Sequence, residues 1–147
     1  AFNTGPFLTP QQFRRFLLPG YKKVADKITV PWISHSDGNF MPIMEDFLSL
    51  GMSGIHPIEP DAMDINEVKR NYGHRVCILG NINVGLLAHG TPEEVEALVK
   101  KRLRELAPGG GYILSSGNSI PSYCKPENVL AMTRTLKRYG AYPISIP

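Results

Sequence analysis

The residues able to handle protons or bind a metal gather at the ends of short apolar runs in this sequence. His35-Ser36-Asp37-Gly38-Asn39 follows the run that ends at Ile33. An imidazole and a carboxylate two positions apart across a strand end point the same way. That spacing suits a His–Asp acid–base pair, or two ligands of a zinc or iron ion. His56-Pro57-Ile58-Glu59-Pro60 follows the second run, so that Glu59 or His56 reaches the pair from a neighbouring strand. Gly80-Asn81-Ile82-Asn83 closes the third run, and Ser115-Ser116-Gly117-Asn118-Ser119 closes the fourth. Helix capping accounts for Asn39 and part of Asp37. It accounts less well for His35 and Glu59. Asn81, Asn83 and Asn118 divide evenly between a binding role and the ordinary use of asparagine in loops.

Such residues need a scaffold that brings the ends of separate runs together, and the rest of the chain reads as one. Thr9-Pro10-Gln11-Gln12 starts a helix with a capping box and a first-turn proline, and its apolar face is Phe13, Phe16, Leu17, Tyr21 and Val24. Pro19-Gly20 should kink or divide it. A short buried strand is expected from Ile28 to Ile33. Phe40, Ile43, Met44, Phe47 and Leu48 then have helical spacing, ended by Gly51. Ser53 to Ile58 reads as the second strand. Asp64-Ile65-Asn66-Glu67 reads as a capping box that opens a helix through Val68 and Tyr72, and Arg75 to Ile82 as the third strand. Thr91-Pro92-Glu93-Glu94 repeats the box, Gly111 to Ser115 is the fourth strand, and Pro126 opens a last helix closed at Gly140. Strands that are short, apolar on both faces and joined by helices pair in parallel with both faces covered. The fold class is therefore α/β, as one domain over residues 1–147: a leading helix at about 9–26, then four βα units over about 28–140. In that architecture ligands bind beyond the C-terminal ends of the strands, where the polar residues above collect.

Composition narrows the function classes. The 147 residues suffice for one core, and 42% hydrophobic with 20% charged residues are globular values. A net charge of +3, spread over helix faces such as Lys22, Lys23, Lys100 and Lys101, lacks the focused basic stripe of a nucleic-acid surface. No apolar run is long enough to span a membrane, and no signal peptide is evident. Cys77 and Cys124 form no CxxC motif, Cys77 reads as a small core residue, and a reducing cytoplasm is the simplest setting. Ala1 rather than Met stands first, which points to a processed chain or a piece of something longer. Gly109-Gly110-Gly111 precedes a strand, whereas a phosphate cradle follows one, and the glycines from Gly80 to Gly85 lack the GxGxxG pattern.

Taken together, His35-Ser36-Asp37-Gly38-Asn39, Gly80-Asn81-Ile82-Asn83, Thr91-Pro92-Glu93-Glu94, Gly109 through Leu114 and Pro126-Glu127-Asn128-Val129 resemble the uroporphyrinogen decarboxylase superfamily, in order and spacing. Asn3-Thr4-Gly5-Pro6 is similar to the loop after that family's fourth strand. The resemblance implies the C-terminal half of a (β/α)₈ TIM barrel. It implies two activities: cofactor-free decarboxylation of porphyrinogen acetate arms, and methyl transfer with a corrinoid partner, often with zinc. Asp37-Gly38 matches the decarboxylases' Asp-Gly, while Asn118 stands where they carry histidine. His35 matches the methyltransferases' His-x-Cys, while Asp37 and Asn118 stand at their cysteine positions. On this resemblance the catalytic candidates are Asp37, His35 and Asn118. The substrate-binding candidates are Ser36, His56, Glu59, Asn81, Asn83 and Ser116, and the metal candidates are His35 and Asp37 with Glu59 as a third. The family's substrate-holding arginines belong to its N-terminal half, so this chain is expected to be inactive alone. It should contribute one wall of an active site, take a small-molecule substrate, and associate with itself or with a missing N-terminal half-barrel; the alternatives are a component of a corrinoid-dependent methyltransferase or O-demethylase, or a non-catalytic half-barrel that oligomerises.

Overall fold

A computed structural model describes residues 1–146. Its elements run α1 (Pro10–Gln12), a π-helical turn (Phe13–Leu17), α2 (Leu18–Ala25), β1 (Ile33–His35), a 3₁₀ turn (Met41–Ile43), α3 (Met44–Leu48), β2 (Gly54–His56), α4 (Ile65–Tyr72), β3 (Cys77–Ile82), α5 (Val84–His89), α6 (Pro92–Leu106), β4 (Tyr112–Ser116) and α7 (Pro126–Tyr139). The four strands form one parallel sheet in the order β1-β2-β3-β4. Strands that pair with their successors through helices make half of a (β/α)₈ barrel. No helix among the described residues is long and apolar enough to cross a membrane.

Local sequence explains most element starts. Thr9 accepts from Gln12 N–H while the Gln12 side chain returns to Thr9 N–H, and Thr91 and Glu94 do the same for α6. At α4 the Asp64 carboxylate accepts from Asn66 N–H alone, so the expected box is a simple cap. Pro19 does not break the leading helix. The turn before it widens, with Leu18 N–H donating to Phe13 O, five residues back, and the helix runs on through Ala25. The short α5 had no counterpart in the expected order. Asn83, read as a strand tip, caps it by accepting from Leu86 N–H at 3.1 Å.

Two expectations about burial fail for one reason. β1 begins at Ile33 and not at Ile28, and Val30 and Ile33 are 65% and 52% exposed. Of the apolar face foreseen on the leading helix, only Phe13 is buried, joined by Leu18, while Phe16, Leu17, Tyr21 and Val24 lie open. Both segments flank the edge at β1, where the described chain supplies no further strand. Pairing register assigns the two faces of the sheet. Ile55, Ile78, Gly80, Ile82 and Leu114 face the helices, and Ile55, Ile78 and Ile82 are fully buried in two packed clusters. His35, His56, Leu79, Asn81, Ile113 and Ser115 share the other, concave face, which is the barrel interior.

Candidate functional site

β1 and β2 are in register at their last residues, so His35 and His56 stand side by side on the concave face. Their Nδ1 atoms are 2.9 Å apart, and their ring centroids 5.0 Å apart at an interplanar angle of 37°. One Nδ1 must donate and the other accept. His35 Nε2 lies 3.4 Å from Asp37 Oδ1. If His56 Nδ1–H donates to His35 Nδ1 and His35 Nε2–H donates to Asp37, the three side chains form one hydrogen-bonded line. A proton can then pass along Asp37, His35 and His56 by exchanging donor and acceptor roles. Burial, and next the neighbouring His35, hold His56 below the ordinary histidine value, opposed by the Ser116 backbone and by Asp37. His56 therefore takes on a second proton less readily than a free imidazole.

A second chain of contacts starts at Glu59. Its Oε2 accepts from Gly38 N–H at 2.5 Å, and its Oε1 accepts from Asn118 Nδ2 at 3.3 Å. Asn118 Nδ2 also donates to Asp37 Oδ1 at 3.1 Å, while Asn118 Oδ1 accepts from Ser119 N–H. Glu59 therefore ties the loop after β1 to the loop after β4. Gly38 makes this possible, because its φ of +78° suits glycine and a Cβ there would lie 2.4 Å from Ala1 O. Asn39 N–H donates to Phe2 O beside it, which seats the N-terminal turn on the same loop.

The remaining expected site residues separate. Asn83 joins Glu59 and Asn118 in lining a cavity of about 320 Å³ while it caps α5. Ser36 lines a cavity of about 110 Å³ walled by Phe7, Phe13, Phe40 and Phe47, and also a cavity of about 360 Å³ that it shares with His35. Asn81 is buried behind the rim, with φ +91°, donating to Ile58 O at 2.6 Å, and it braces the backbone. Ser116 faces the helices and is buried, its hydroxyl donating to Asn118 O. Asp61, Ser119, Tyr123 and Asn3 line the 320 Å³ cavity and were missed. Of these, Ser119 lay in a strand-end segment and Asn3 in a segment that the family resemblance had marked.

The metal reading meets a mismatch. Among the described residues no three His, Cys, Asp or Glu side chains are grouped so as to hold a metal ion. Glu59, expected as the third ligand, is occupied by Gly38 and Asn118, and His35 Nδ1 by His56. An amide at 118 and a carboxylate at 37 also replace the soft thiolates that a thiol-activating zinc uses. These residues do not fit such an ion.

Comparison with known proteins agrees with the geometry. The family model for uroporphyrinogen decarboxylase (URO-D) matches residues 3–139. The uroporphyrinogen decarboxylase of Shewanella halifaxensis is 28% identical over 93% of this chain and 40% of its own length. That of Trichodesmium erythraeum is 27% identical over 91% and 38%. A methyltransferase from Methanosarcina mazei superposes with a TM-score of 0.76 at 26% identity, covering 91% of this chain and 39% of its own. The chain thus spans about two fifths of the length of these relatives, in keeping with half a barrel. With the family model extending from the first turn to the last helix, this chain belongs to the uroporphyrinogen decarboxylase (URO-D) family.

Proposed function

We propose that the chain forms one wall of the active site of a decarboxylase-like URO-D enzyme, a carboxy-lyase of the porphyrinogen type, working in the cytoplasm. The observation that carries this reading is the continuous line His56–His35–Asp37–Asn118–Glu59 across the ends of β1, β2 and β4. Loss of carbon dioxide leaves a carbon that must gain a proton, and a held imidazole–carboxylate line supplies one without a cofactor. Asp37 and Glu59 form no described ion pair with Lys or Arg, so this wall offers no clamp for carboxylate arms. The 147-residue chain alone is therefore inactive. The test is uroporphyrinogen turnover by the chain alone and after mixing with the N-terminal part of the Shewanella halifaxensis relative. Activity of the mixture, lost in Asp37→Asn, supports the reading. Turnover by the chain alone, or an unaffected Asp37→Asn mixture, overturns it.

Closure of the barrel is the second part of the proposal. Ile33 and Ile113 on the concave face are 52% and 48% exposed, and the outer edges of β1 and β4 have no strand partner among the described residues. Natural proteins cover such edges. A second copy or an N-terminal half-barrel fulfils that role, and light scattering that returns a monodisperse monomer refutes self-association. A methyl-transfer reading, with a corrinoid-carrying partner, draws on His35 and on the Methanosarcina mazei neighbour. Metal analysis of the purified chain separates its zinc-dependent form from the proton-transfer reading.

A further inference from the structure

Asn81 combines two unfavourable features, and both persist at the end of β3. Its φ of +91° is the one left-handed value outside glycine among the described residues. It is also 1% exposed, and its Oδ1 is buried with no hydrogen-bond partner among the described residues. Residues in such conformations are held there by their surroundings, and they cluster where a site needs a fixed geometry. The surroundings here are specific. Cys77 N–H donates to Ser53 O and Ile58 N–H to Leu79 O, so the next rung of the β2–β3 ladder would run from Asn81 N–H to Ile58 O. Asn81 fills that rung with its side chain, Nδ2 donating to Ile58 O at 2.6 Å. Gly80 before it, at φ +115°, sets the β3 backbone so close that a Cβ there would touch Pro57, Ile58 and Ser116. Ile58 is itself fully buried, so the loop is pinned by its side chain as well as by its carbonyl.

The segment that Asn81 holds is where the proton line both begins and ends. His56 lies two positions before Ile58 and Glu59 one position after it. From His56 the line runs through His35, Asp37 and Asn118 back to Glu59. A ring of contacts that closes on one segment moves as that segment moves. We infer that Asn81 is the positioning residue of the proton line: its bond to Ile58 O fixes His56 and Glu59 relative to each other, and through them the Nδ1–Nδ1 contact of His56 with His35. Its importance for turnover rests on the proton-line reading, whereas its hold on the two rings does not.

NMR of the ¹⁵N-labelled chain reads where each imidazole carries its proton. In wild type the Nδ1–Nδ1 contact places a proton on one Nδ1. Asn81→Gly suits the +91° backbone and removes the amide. It should return both rings to the Nε2–H form while the backbone amides of α6 and α7 stay in place. In the mixture with the N-terminal part of the Shewanella halifaxensis relative, it should slow turnover on the order of tenfold at little change in KM. Unchanged imidazole signals in a folded Asn81→Gly chain overturn the inference, as does unchanged turnover where Asp37→Asn abolishes it. If Asn81→Gly does not fold, the wild-type chain decides. In a pH titration its Asn81 side-chain amide should move together with the His35 and His56 signals, and an amide that stays still overturns the inference. Imidazole signals that change while Asp37→Asn leaves turnover untouched keep Asn81 as the residue that positions the rings, and sink the proton-line reading instead.

Discussion

Glu59→Gln tests the architecture of the rim with a change of very few atoms. The carboxylate accepts two hydrogen bonds at once, from Gly38 N–H at 2.5 Å and Asn118 Nδ2 at 3.3 Å. A glutamine has one acceptor oxygen, so its amide end must face one of these donors. Asn118 cannot resolve the clash by turning over without losing the bond its Oδ1 accepts from Ser119 N–H at 2.7 Å. One charge-assisted hydrogen bond is therefore lost. Such bonds contribute about 1.5–3 kcal/mol, and the partial exposure of Glu59 and Asn118 places this one near 1.5 kcal/mol. For a chain of this size that lowers Tm by about 3–6 °C. Urea denaturation of wild type, Glu59→Gln, Asn118→Ala and the double variant closes a thermodynamic cycle. Because both side chains belong to one network, a coupling of about 0.5–1.5 kcal/mol is expected. Additivity within about 0.4 kcal/mol, or a Glu59→Gln variant as stable as wild type, refutes the claim that Glu59 ties the two loops.

The same structure makes further demands. His56 has its proton affinity lowered by burial and by His35, so the unfolded chain binds that proton more readily than the folded one. Stability should be intact above about pH 6.5 and fall as pH drops through the window between the unfolded and the lower folded value. His56→Gln should flatten that dependence, and a wild-type profile that is level or rising toward pH 5 contradicts it. Asn128, fully buried, donates to Leu87 O and Gly90 O at 3.0 Å each and to Leu86 O at 3.4 Å, which ties α7 to the end of α5. Asn128→Asp aims an anionic oxygen at those carbonyls and should cost at least about 3 kcal/mol or prevent folding, read by circular dichroism and urea titration. Ile78→Ala, in the centre of the sheet with no exposure, should cost about 2–5 kcal/mol by the same titration. A loss below about 1 kcal/mol would mean that the two faces of β3 have been assigned the wrong way round. Ile33→Lys, on the open concave face, should leave stability within about 0.5 kcal/mol and reduce self-association by light scattering. Substantial unfolding would show that the concave face is packed in the isolated chain.

Order and polarity of the elements were legible in the sequence because they rest on local physics. The Thr9 and Thr91 boxes, the Asp64 cap and the Gly51 turn act within three or four residues, and each appears where its residue types demand. Parallel pairing followed from apolar strands alternating with helices, and that placed His35, His56, Glu59 and Asn118 at one end of one sheet. Tertiary structure decided what those groups do. The His35–His56 contact depends on strand register, and the reach of Asn118 to Asp37 spans 81 positions, so spacing along the chain contains neither. It also turned Ser116 toward the helices, since alternation along a strand leaves only every second residue facing the barrel interior, and it buried Asn81 against Ile58 O through a hydrogen bond across 23 positions. Burial was misjudged where it depends on neighbours. Val30, Ile33 and Phe16 have core chemistry, but exposure belongs to what packs against a side chain, and at the open edge of half a barrel the described chain provides nothing.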